Sequence, residues 1–350
     1  MNLQNFTPFP AEITLATDKD GRDSYLVVVK GTFEIGDGEP RPAAEQVPFF
    51  YGDQHYGDPE TTSIKYESEF APVKSRADVV VVGDAHARGR GVRRLSVEVR
   101  VGRMRKKLIV RGDRRWRFGL GILSRVSWAR RFESLPIVYE RAFGGADTSH
   151  DNPKRHRFER RNPVGTGLVR RLRAKGALPN FYYPGESLRR PGKRIRPAGL
   201  GFVGRGWEPR ASHAGTYDGA WKKERFPLLP EDFDDEYHQG APPDQRCELL
   251  RGGEPVELRN LTPDGRLSFR LPPLALAIRF RFASRTEESV MYGDTLILEP
   301  GLGRFQVVWR ASRPVDGKLL ALGEVWIGTP SRGRLLAVET RKQYIDRSAR

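Results

Sequence analysis

Hydrophobic and polar residues alternate at every second position in several segments, which predicts half-buried β-strands. In SVEVRVG (residues 96–102), Val97, Val99 and Val101 alternate with polar residues. In LALAIRFRF (residues 274–282), apolar residues at even positions alternate with Arg279 and Arg281. Because successive side chains of a strand point to opposite faces, this period of two places one face against a core and the other toward solvent.

Further strands are predicted in the first and last thirds of the chain. The turn DKDGRD (residues 18–23) is a hairpin signal, and Lys107–Arg111 is expected to return beside the 96–102 segment. The other predicted strands are Glu12–Thr17, Tyr25–Ile35, Ala77–Ala85, Pro136–Phe143, Val290–Leu298, Arg304–Arg310 and Leu319–Thr329. One short helix is predicted at Thr166–Ala174.

The middle of the chain lacks clear hydrophobic periodicity and is rich in glycine, proline and aromatic residues. We therefore predict a mainly β fold, β-sandwich-like or built from packed antiparallel sheets, with a loop-rich Gly/Pro/aromatic middle region and few short helices. A single predicted domain spans residues 1–335: it is strand-rich over 1–143 and 247–335 and loop-rich over 144–246. Residues 336–350 are predicted to form a C-terminal tail.

Charge is distributed unevenly along these 350 residues, whose formal net charge is +17. Residues 88–131 hold sixteen Lys and Arg against two acidic residues, and residues 154–210 hold sixteen against three. Residues 224–257 reverse the balance, with ten acidic residues against three arginines. Such a pattern steers charged partners, and the candidates are nucleic acid, an acidic protein or the acidic segments of this same chain.

The lone cysteine and the N-terminal sequence predict a cytoplasmic protein. Cys247 has no second cysteine to pair with, which fits a reducing compartment, and we interpret it as a buried structural thiol. The N-terminus lacks the pattern of a signal peptide, and the longest apolar runs are too short to cross a bilayer. No membrane partner is therefore expected.

Two patterns resemble enzymatic sites but lack the context that such sites require. Gly199–Gly204 matches GxGxxG, yet Pro209 follows closely, which favours a glycine-rich turn over a dinucleotide site. His213 and His238 could converge with the carboxylates of residues 218–244 around a metal, as in a metal-dependent hydrolase. We favour a solvated acidic loop, so no catalytic residue, metal or cofactor is predicted.

The acidic stretch, GTYDGAWKKERFPLLPEDFDDEYHQGAPPDQR (residues 215–246), is predicted to be a stiff recognition loop. Its prolines restrict the backbone, and its aromatic residues alternate with turn formers, so ordering it costs little entropy. Loops of this kind suit protein recognition or close over a core. The candidate partner-binding residues within it are Tyr217, Asp218, Trp221, Asp232 and Phe233.

A second candidate surface is the arginine-rich segment that contains Arg103, Arg105 and Lys107. These residues could meet an acidic protein, contact the phosphates of a nucleic acid or only solubilise one face of a sheet. Nucleic acid is the least favoured partner, because no recognised binding module and few aromatic residues accompany the arginines. Of the chosen residues, Trp221 and Phe233 are also predicted to anchor the middle loops on the β-core.

A series of unusual motifs, in order along the chain, resembles a known bacterial family. The motifs are VRGDRRW (residues 110–116), LPIVYERAFGG (135–145), NPVGTG (162–167), LPN (178–180), PAGLG (197–201), WEPR (207–210), AGTYDGAW (214–221), PLLPEDFD (227–234), APPDQR (241–246) and LRGGEPVELRNL (250–261). Together they resemble the domain-of-unknown-function family numbered 2169. The resemblance extends from about Phe6 to beyond Leu271.

The resemblance implies a role in bacterial type VI secretion. Members of that family resemble effector adaptors or chaperones encoded beside genes for the VgrG spike and PAAR-type proteins. The expected function is therefore a non-enzymatic adaptor that binds a PAAR-type effector and helps to load it onto VgrG. The resemblance carries no catalytic residues.

Overall fold

The computed structural model describes residues 2–118, 124–169, 176–315, 322–331, 333 and 335. The first strands are β1 Asn2–Asn5, β2 Ala11–Thr17, β3 Asp23–Glu34, β4 Arg41–Pro42, β5 Gln54–His55, β6 Ile64–Tyr66, β7 Ala77–Val81, β8 Asp84–His86, β9 Arg94–Val101, β10 Met104–Arg111, β11 Arg115–Phe118, β12 Ser124–Val126, β13 Ser134–Pro136 and β14 Phe143–Gly144. The later strands are β15 Ala146–Asp147, β16 Arg157–Phe158, β17 Thr166–Gly167, β18 Gly176–Ala177, β19 Phe181–Tyr182, β20 Arg246–Cys247, β21 Pro255–Arg259, β22 Arg266–Arg270, β23 Leu276–Phe282, β24 Thr286–Met291, β25 Gly293–Glu299, β26 Arg304–Pro314 and β27 Leu322–Ile327.

The helices and helical turns whose bounds are known in the described residues are short. The α-helix α1 spans Gly219–Glu224. Turns of 3-10 helix occur at Tyr139–Arg141, Pro153–Arg155, Arg210–His213, Asp235–His238, Pro243–Gln245 and Pro300–Leu302. The predicted mainly β class is therefore confirmed. In the part of the chain that the structure describes, no helix is both long and apolar enough to span a bilayer.

Four sheets organise the strands that matter for the sites below. A seven-stranded sheet has the order β2-β3-β26-β25-β7-β20, with β4 also paired to β3. A five-stranded sheet has the order β19-β10-β9-β21-β22, and a four-stranded sheet has the order β1-β27-β23-β24. A small three-stranded sheet has the order β12-β11-β18.

One hydrophobic cluster joins the three larger sheets. It includes Val99 of β9, Phe280 of β23 and Trp309 of β26, each fully buried. Trp309 stacks on Phe9 with 5.5 Å between the ring centroids and donates its indole hydrogen to the carbonyl of Leu274 at 2.6 Å. The predicted alternation in residues 96–102 and 274–282 is confirmed, because the apolar side chains of both segments face this core.

The strands β3, β7, β25 and β26 are buried on both faces, which explains their nearly continuous apolar runs. Their second face packs against loops: Val80 and Ile297 contact Phe202 and Ala241 of the loop-rich middle, whereas Val28 and Val308 pack with Phe49 and Phe70 of the first third of the chain. Loops from both regions therefore cover the sheet. The predicted hairpin at residues 18–23 is also confirmed, because all of β2 pairs with residues 23–29 of β3.

Two predicted elements are wrong. Within the predicted helix Thr166–Ala174, Thr166–Gly167 forms a strand parallel to β14, and residues 170–174 lie outside the described part of the chain. The predicted strand Pro136–Phe143 is interrupted by 3-10 turn Tyr139–Arg141. Both errors arise from contacts that are distant in sequence: the amide of Thr166 donates to the carbonyl of Ala142 at 2.9 Å.

Candidate partner-binding surface

The first half of the acidic stretch folds around helix α1. The side chain of Asp218 accepts a hydrogen bond from the amide of Trp221 at 2.9 Å, so Asp218 is the N-cap of the helix. The indole of Trp221 donates to the carbonyl of Leu228 at 2.9 Å. Tyr217, which is 53% exposed, packs edge-on against Trp221. Asp218 and Trp221 therefore hold local structure, and Tyr217 is available to a partner.

The second half of the stretch is tied down by Asp232 and Phe233. The carboxylate of Asp232 accepts from the amide and the hydroxyl of Thr216 at 2.9 and 2.7 Å, and these bonds lower its pKa. Phe233 is only 7% exposed and packs against the rings of Tyr237 and His238. Both residues hold the acidic stretch together through these contacts, which lie within the stretch itself. Anchoring of the middle loops on the β-core by Phe233 stays a prediction.

The acidic stretch lies over the β2–β3 turn of the seven-stranded sheet. The guanidinium of Arg225 donates to the carbonyl of Lys19 at 2.7 Å. Leu228 packs directly over Gly21, where a Cβ atom would come within 3.0 Å of the leucine side chain. Gly21 also has a φ of +79°, which favours glycine. At this point the stretch contacts an exposed turn, whereas its residue Ala241 packs on Val80 and Ile297 of the sheet. The stretch also contains helix α1, which the sequence did not predict, and its role in recognition stays a prediction.

A buried network of charges fixes the neighbouring loops. Glu67 forms an ion pair with Arg210, and Arg205 and Lys74 lie at 3.2 and 3.8 Å from the same carboxylate. Arg210 is 1% exposed and also donates to the carbonyl of Tyr237. Because buried charges must be paired, this network holds the loops that follow β19 in one arrangement.

The basic hairpin, formed by β9 and β10, carries Arg103, Arg105 and Lys107 on its exposed side. Arg105 donates to both carboxylate oxygens of Glu98 at 2.9 and 3.1 Å, and these bonds lower the pKa of Glu98. Beside it, Arg100 lies 3.7 Å from Glu257. The expectation that few acidic residues accompany these arginines is therefore corrected: carboxylates of β9 and β21 balance part of their charge.

Lys106 points to the opposite side of the basic hairpin and is only 3% exposed. Its ammonium donates to Asp244 and Gln245, each at 2.8 Å. Burial lowers the pKa of Lys106 to about 8. The C-terminal end of the acidic stretch thus pairs with a lysine of the basic segment. This agrees with one interpretation of the charge pattern, in which acidic segments of the same chain are partners of the basic segment. The exposed candidates of the hairpin lie on the five-stranded sheet, whereas the candidates around helix α1 lie beside the β2–β3 turn of the seven-stranded sheet.

A concave, arginine-lined region lies around Trp128 and includes Arg94 and Arg111 at the far end of the basic hairpin; we call it the arginine surface. It consists of two cavities of about 690 and 440 Å³. The larger is lined by Arg114, Arg115, Arg117, Arg125, Arg130 and Arg141. The smaller is lined by Arg93, Arg94, Arg111, Arg114 and Arg189. Trp128 lines both cavities and is 88% exposed.

Strand alternation in the three-stranded sheet creates the larger cavity. Trp116 of β11 is buried in a second hydrophobic cluster with Leu178 and Tyr182. Its neighbours Arg115 and Arg117 must therefore point outward, and both are exposed. The same alternation follows from RRWRF in the sequence, but the cavity also needs β12 and β18 as neighbours of β11.

Several donors beneath the arginine surface have no hydrogen-bond partner among the described residues: the Nε atoms of Arg111 and Arg114 and the indole nitrogen of Trp116. Arg111 and Arg114 both contact the ring of Tyr182, at 5.8 and 5.2 Å from its centroid. Burial lowers the pKa of Arg111, and the charges of Arg114 and Arg94 act in the same direction. The site is therefore short of negative charge and can bind anionic groups.

The candidate metal ligands do not assemble into a site. His213 contacts Asp234 at 2.9 Å, and His238 lies 3.9 Å from Asp235. Burial lowers the pKa of His238 to about 4. Over the residues that the structure describes, no group of three or more histidines, cysteines or carboxylates is placed to hold an ion. Gly199–Gly204 has no strand before it and no helix after it.

Comparison with known proteins identifies a family and no more. A family model described as an uncharacterized protein conserved in bacteria, DUF2169, matches residues 20–310. No curated protein and no solved structure is detectably similar to this chain. Since the match covers most of the chain, the protein belongs to the bacterial family DUF2169.

Proposed function

We propose that this protein is a non-enzymatic adaptor or chaperone of the bacterial type VI secretion system, acting in the cytoplasm. In this role it binds a PAAR-type effector and helps to load it onto the VgrG spike. The family resemblance supplies the biological setting. The observation that carries a binding role is the arginine surface, where the exposed Trp128 lies between two cationic cavities.

An exposed tryptophan between arginines has the composition of a protein-binding hot spot. Tryptophan and arginine are enriched among the residues that contribute most to binding. Tryptophan buries a large, rigid apolar area, and the planar guanidinium of arginine makes several directed hydrogen bonds. Loops that line the larger cavity are already held together by the buried Asn180, whose amide donates to the carbonyl of Arg111 at 2.8 Å and to Asp113 at 3.0 Å. A surface that is ordered before binding loses less entropy on association. The adaptor would stabilise its cargo by mass action, without nucleotide hydrolysis.

Nucleic-acid binding is the second candidate, and the same surface is the observation that favours it. Arginines lining a cavity can contact phosphates, and Trp128 could stack on a base. The affinity of such a complex for random oligonucleotides falls steeply with salt. Binding of this kind that is tight at physiological salt, with no affinity for the effector, would replace the adaptor proposal.

The neighbouring genes and a co-purification experiment test the adaptor role. Genes for a spike and a PAAR-type protein are expected beside this one. The PAAR-type protein, co-expressed with the parent, should co-purify with it and should be lost with the reversal Arg115→Glu, Arg117→Glu and Arg125→Glu. The matched reversal Arg103→Glu, Arg105→Glu and Lys107→Glu changes the basic hairpin by the same charge.

The two reversals distinguish the two candidate docking faces. Loss of the effector only with the hairpin reversal would favour the basic hairpin, and loss with neither would contradict docking through charge. Circular dichroism of each variant controls for folding. Purified parent that hydrolysed an ester, a peptide or a nucleic acid, with loss of that activity in Asp218→Asn, Asp232→Asn or His238→Ala, would contradict the non-enzymatic assignment.

A further inference from the structure

Two pairs of arginines face each other directly across antiparallel strands at the arginine surface. Arg117 of β11 lies opposite Arg125 of β12. Arg94 of β9 lies opposite Arg111 of β10. The first pair lines the larger cavity and the second pair lines the smaller one. Directly opposed residues have Cβ atoms about 4.5–5.5 Å apart, and like charges there are destabilising.

Neither pair is compensated within the described residues. The guanidinium groups of Arg94, Arg117 and Arg125 form no ion pair there, and the buried Nε of Arg111 has no partner. The two acidic residues of the larger cavity pair with other groups: Asp113 binds Arg141 of the same cavity at 3.1 Å, and Glu140 accepts from Ser63. The chain thus bears an electrostatic cost at this surface that its own carboxylates do not offset.

The basic hairpin contains an instructive contrast. Arg100 and Arg105 also face each other across β9 and β10. There, Glu98 binds Arg105 at 2.9 Å, and Glu257 lies 3.7 Å from Arg100. Here the repulsion between two directly opposed arginines is therefore offset by carboxylates of the chain itself. The uncompensated pairs occur where cavities open to solvent, as expected of groups whose counter-charges arrive with a ligand.

The two cavities adjoin each other, and together we call them the track. Arg114 and Trp128 each line both of them. Arg114 is only 7% exposed, so its position is fixed by packing, and its Nη2 donates to the hydroxyl of Tyr182 at 2.5 Å. A ligand that passes over Trp128 can therefore reach both arginine pairs. A single small anion can reach only one of them.

We infer that this track binds an acidic segment of a partner protein, with side-chain carboxylates received by the Arg117–Arg125 pair and by the Arg94–Arg111 pair and with an apolar part packed on Trp128. Guanidinium groups match carboxylates bidentately, which suits closely spaced arginines. Sites that track single-stranded nucleic acid use several aromatic side chains to stack successive bases. Among the described residues that line the two cavities, Trp128 is the one aromatic side chain.

This inference deepens the proposed function and depends on it for the identity of the partner, but not for the binding chemistry. The probe is a short fluorescent oligoglutamate peptide, followed by anisotropy at low and at physiological salt. We expect the double variant Arg117→Gln, Arg125→Gln to weaken binding by about tenfold or more, as for charge pairs at the centre of an interface. The control Arg100→Gln, Arg105→Gln should change binding by about twofold at most, since those arginines are already paired.

Stability provides a second readout. Removing the uncompensated pair should leave the melting temperature unchanged or raise it at low salt, so lost binding in that variant cannot come from unfolding. Equal loss in the control variant would show general attraction to a basic protein and would overturn the site. Tighter binding of an oligothymidylate than of oligoglutamate, abolished by Trp128→Ala, would assign the track to nucleic acid.

The outcomes also separate this inference from the adaptor proposal. If the protein binds oligoglutamate but has no affinity for a PAAR-type effector, the binding site is supported and the proposed function is contradicted. If the double variant Arg117→Gln, Arg125→Gln still binds the effector, the proposed function is supported and the binding site is overturned.

Discussion

The acidic stretch is expected to be part of the folded core at Phe233 and part of the surface at Phe226, and replacement of each by alanine tests this. Phe233 is 7% exposed, between the rings of Tyr237 and His238. Phe226 is 67% exposed and contacts the edge of Trp221. The two phenylalanines share one chemistry and one segment, so they differ mainly in burial.

The expected size of each effect follows from that burial. Truncating a buried phenylalanine costs about 3–5 kcal/mol through lost transfer energy and the cavity left behind. The entropy of unfolding is about 2.1 cal/mol/K per residue, which for 350 residues is about 0.7 kcal/mol/K. Phe233→Ala should therefore lower the melting temperature by about 4–7 °C. Phe226→Ala should change the stability by less than about 0.5 kcal/mol, or about 1 °C.

Differential scanning calorimetry of the parent and both variants measures these shifts. Trp221→Ala should fall between them, because Trp221 is half-buried and loses a single hydrogen bond to Leu228. Equal melting of Phe233→Ala and the parent would refute the reasoning and return Phe233 to the binding surface. A loss of several degrees in Phe226→Ala would show that the exposed aromatic cluster is covered in solution.

Three further expectations concern buried ionisable groups. Burial lowers the pKa of Lys106 from 10.5 to about 8, so between these pH values the unfolded chain binds more protons than the folded one. The free energy of unfolding should therefore rise with pH across that range by up to about 3 kcal/mol. Urea denaturation of Lys106→Met should lack this rise, and the same pH dependence in parent and variant would contradict the expectation. Arg210→Met leaves Glu67 without its closest partner and should cost about 3–5 kcal/mol in thermal melts, whereas the double variant with Glu67→Gln should cost less than the sum. Because burial raises the pKa of Cys247 to about 11, the native thiol should react with a disulfide reagent near pH 8 far more slowly than the urea-unfolded chain, and equal rates would disprove its burial.

Local periodicity was sufficient to predict most of the long strands. The alternation in residues 96–102 and 274–282 reflects one face on a core, and the run VVVV at residues 79–82 reflects burial on both faces. The hairpin around Gly21 also follows from neighbouring residues alone. Each of these strands needs only an apolar layer beneath its hydrophobic face, whichever residues form that layer. They can therefore be predicted from the local sequence before the neighbouring strands are known.

Short elements that depend on distant backbone were not predictable in the same way. Thr166–Gly167 becomes a strand because it pairs with Phe143–Gly144, and nothing in the local pattern marks that pairing. Helix α1 follows its N-cap residue Asp218. The sequence was compatible with this capping role and equally compatible with an Asx turn at the same residue. In both cases a weak local preference was decided by tertiary contacts.

The sequence by itself determined that the protein is mainly β, strongly basic in its middle and a member of its family. Only the tertiary structure decided which of its charges are free. Strand pairing sets Arg105 beside Glu98, and the 3-10 turn Pro243–Gln245 sets Asp244 beside Lys106, 138 residues away in the chain. Strand register also sets Arg117 opposite Arg125, with no described carboxylate to balance them. Coulomb energies depend on distances of a few ångströms between side chains, and it is the pairing of strands, not the count of arginines, that determines those distances.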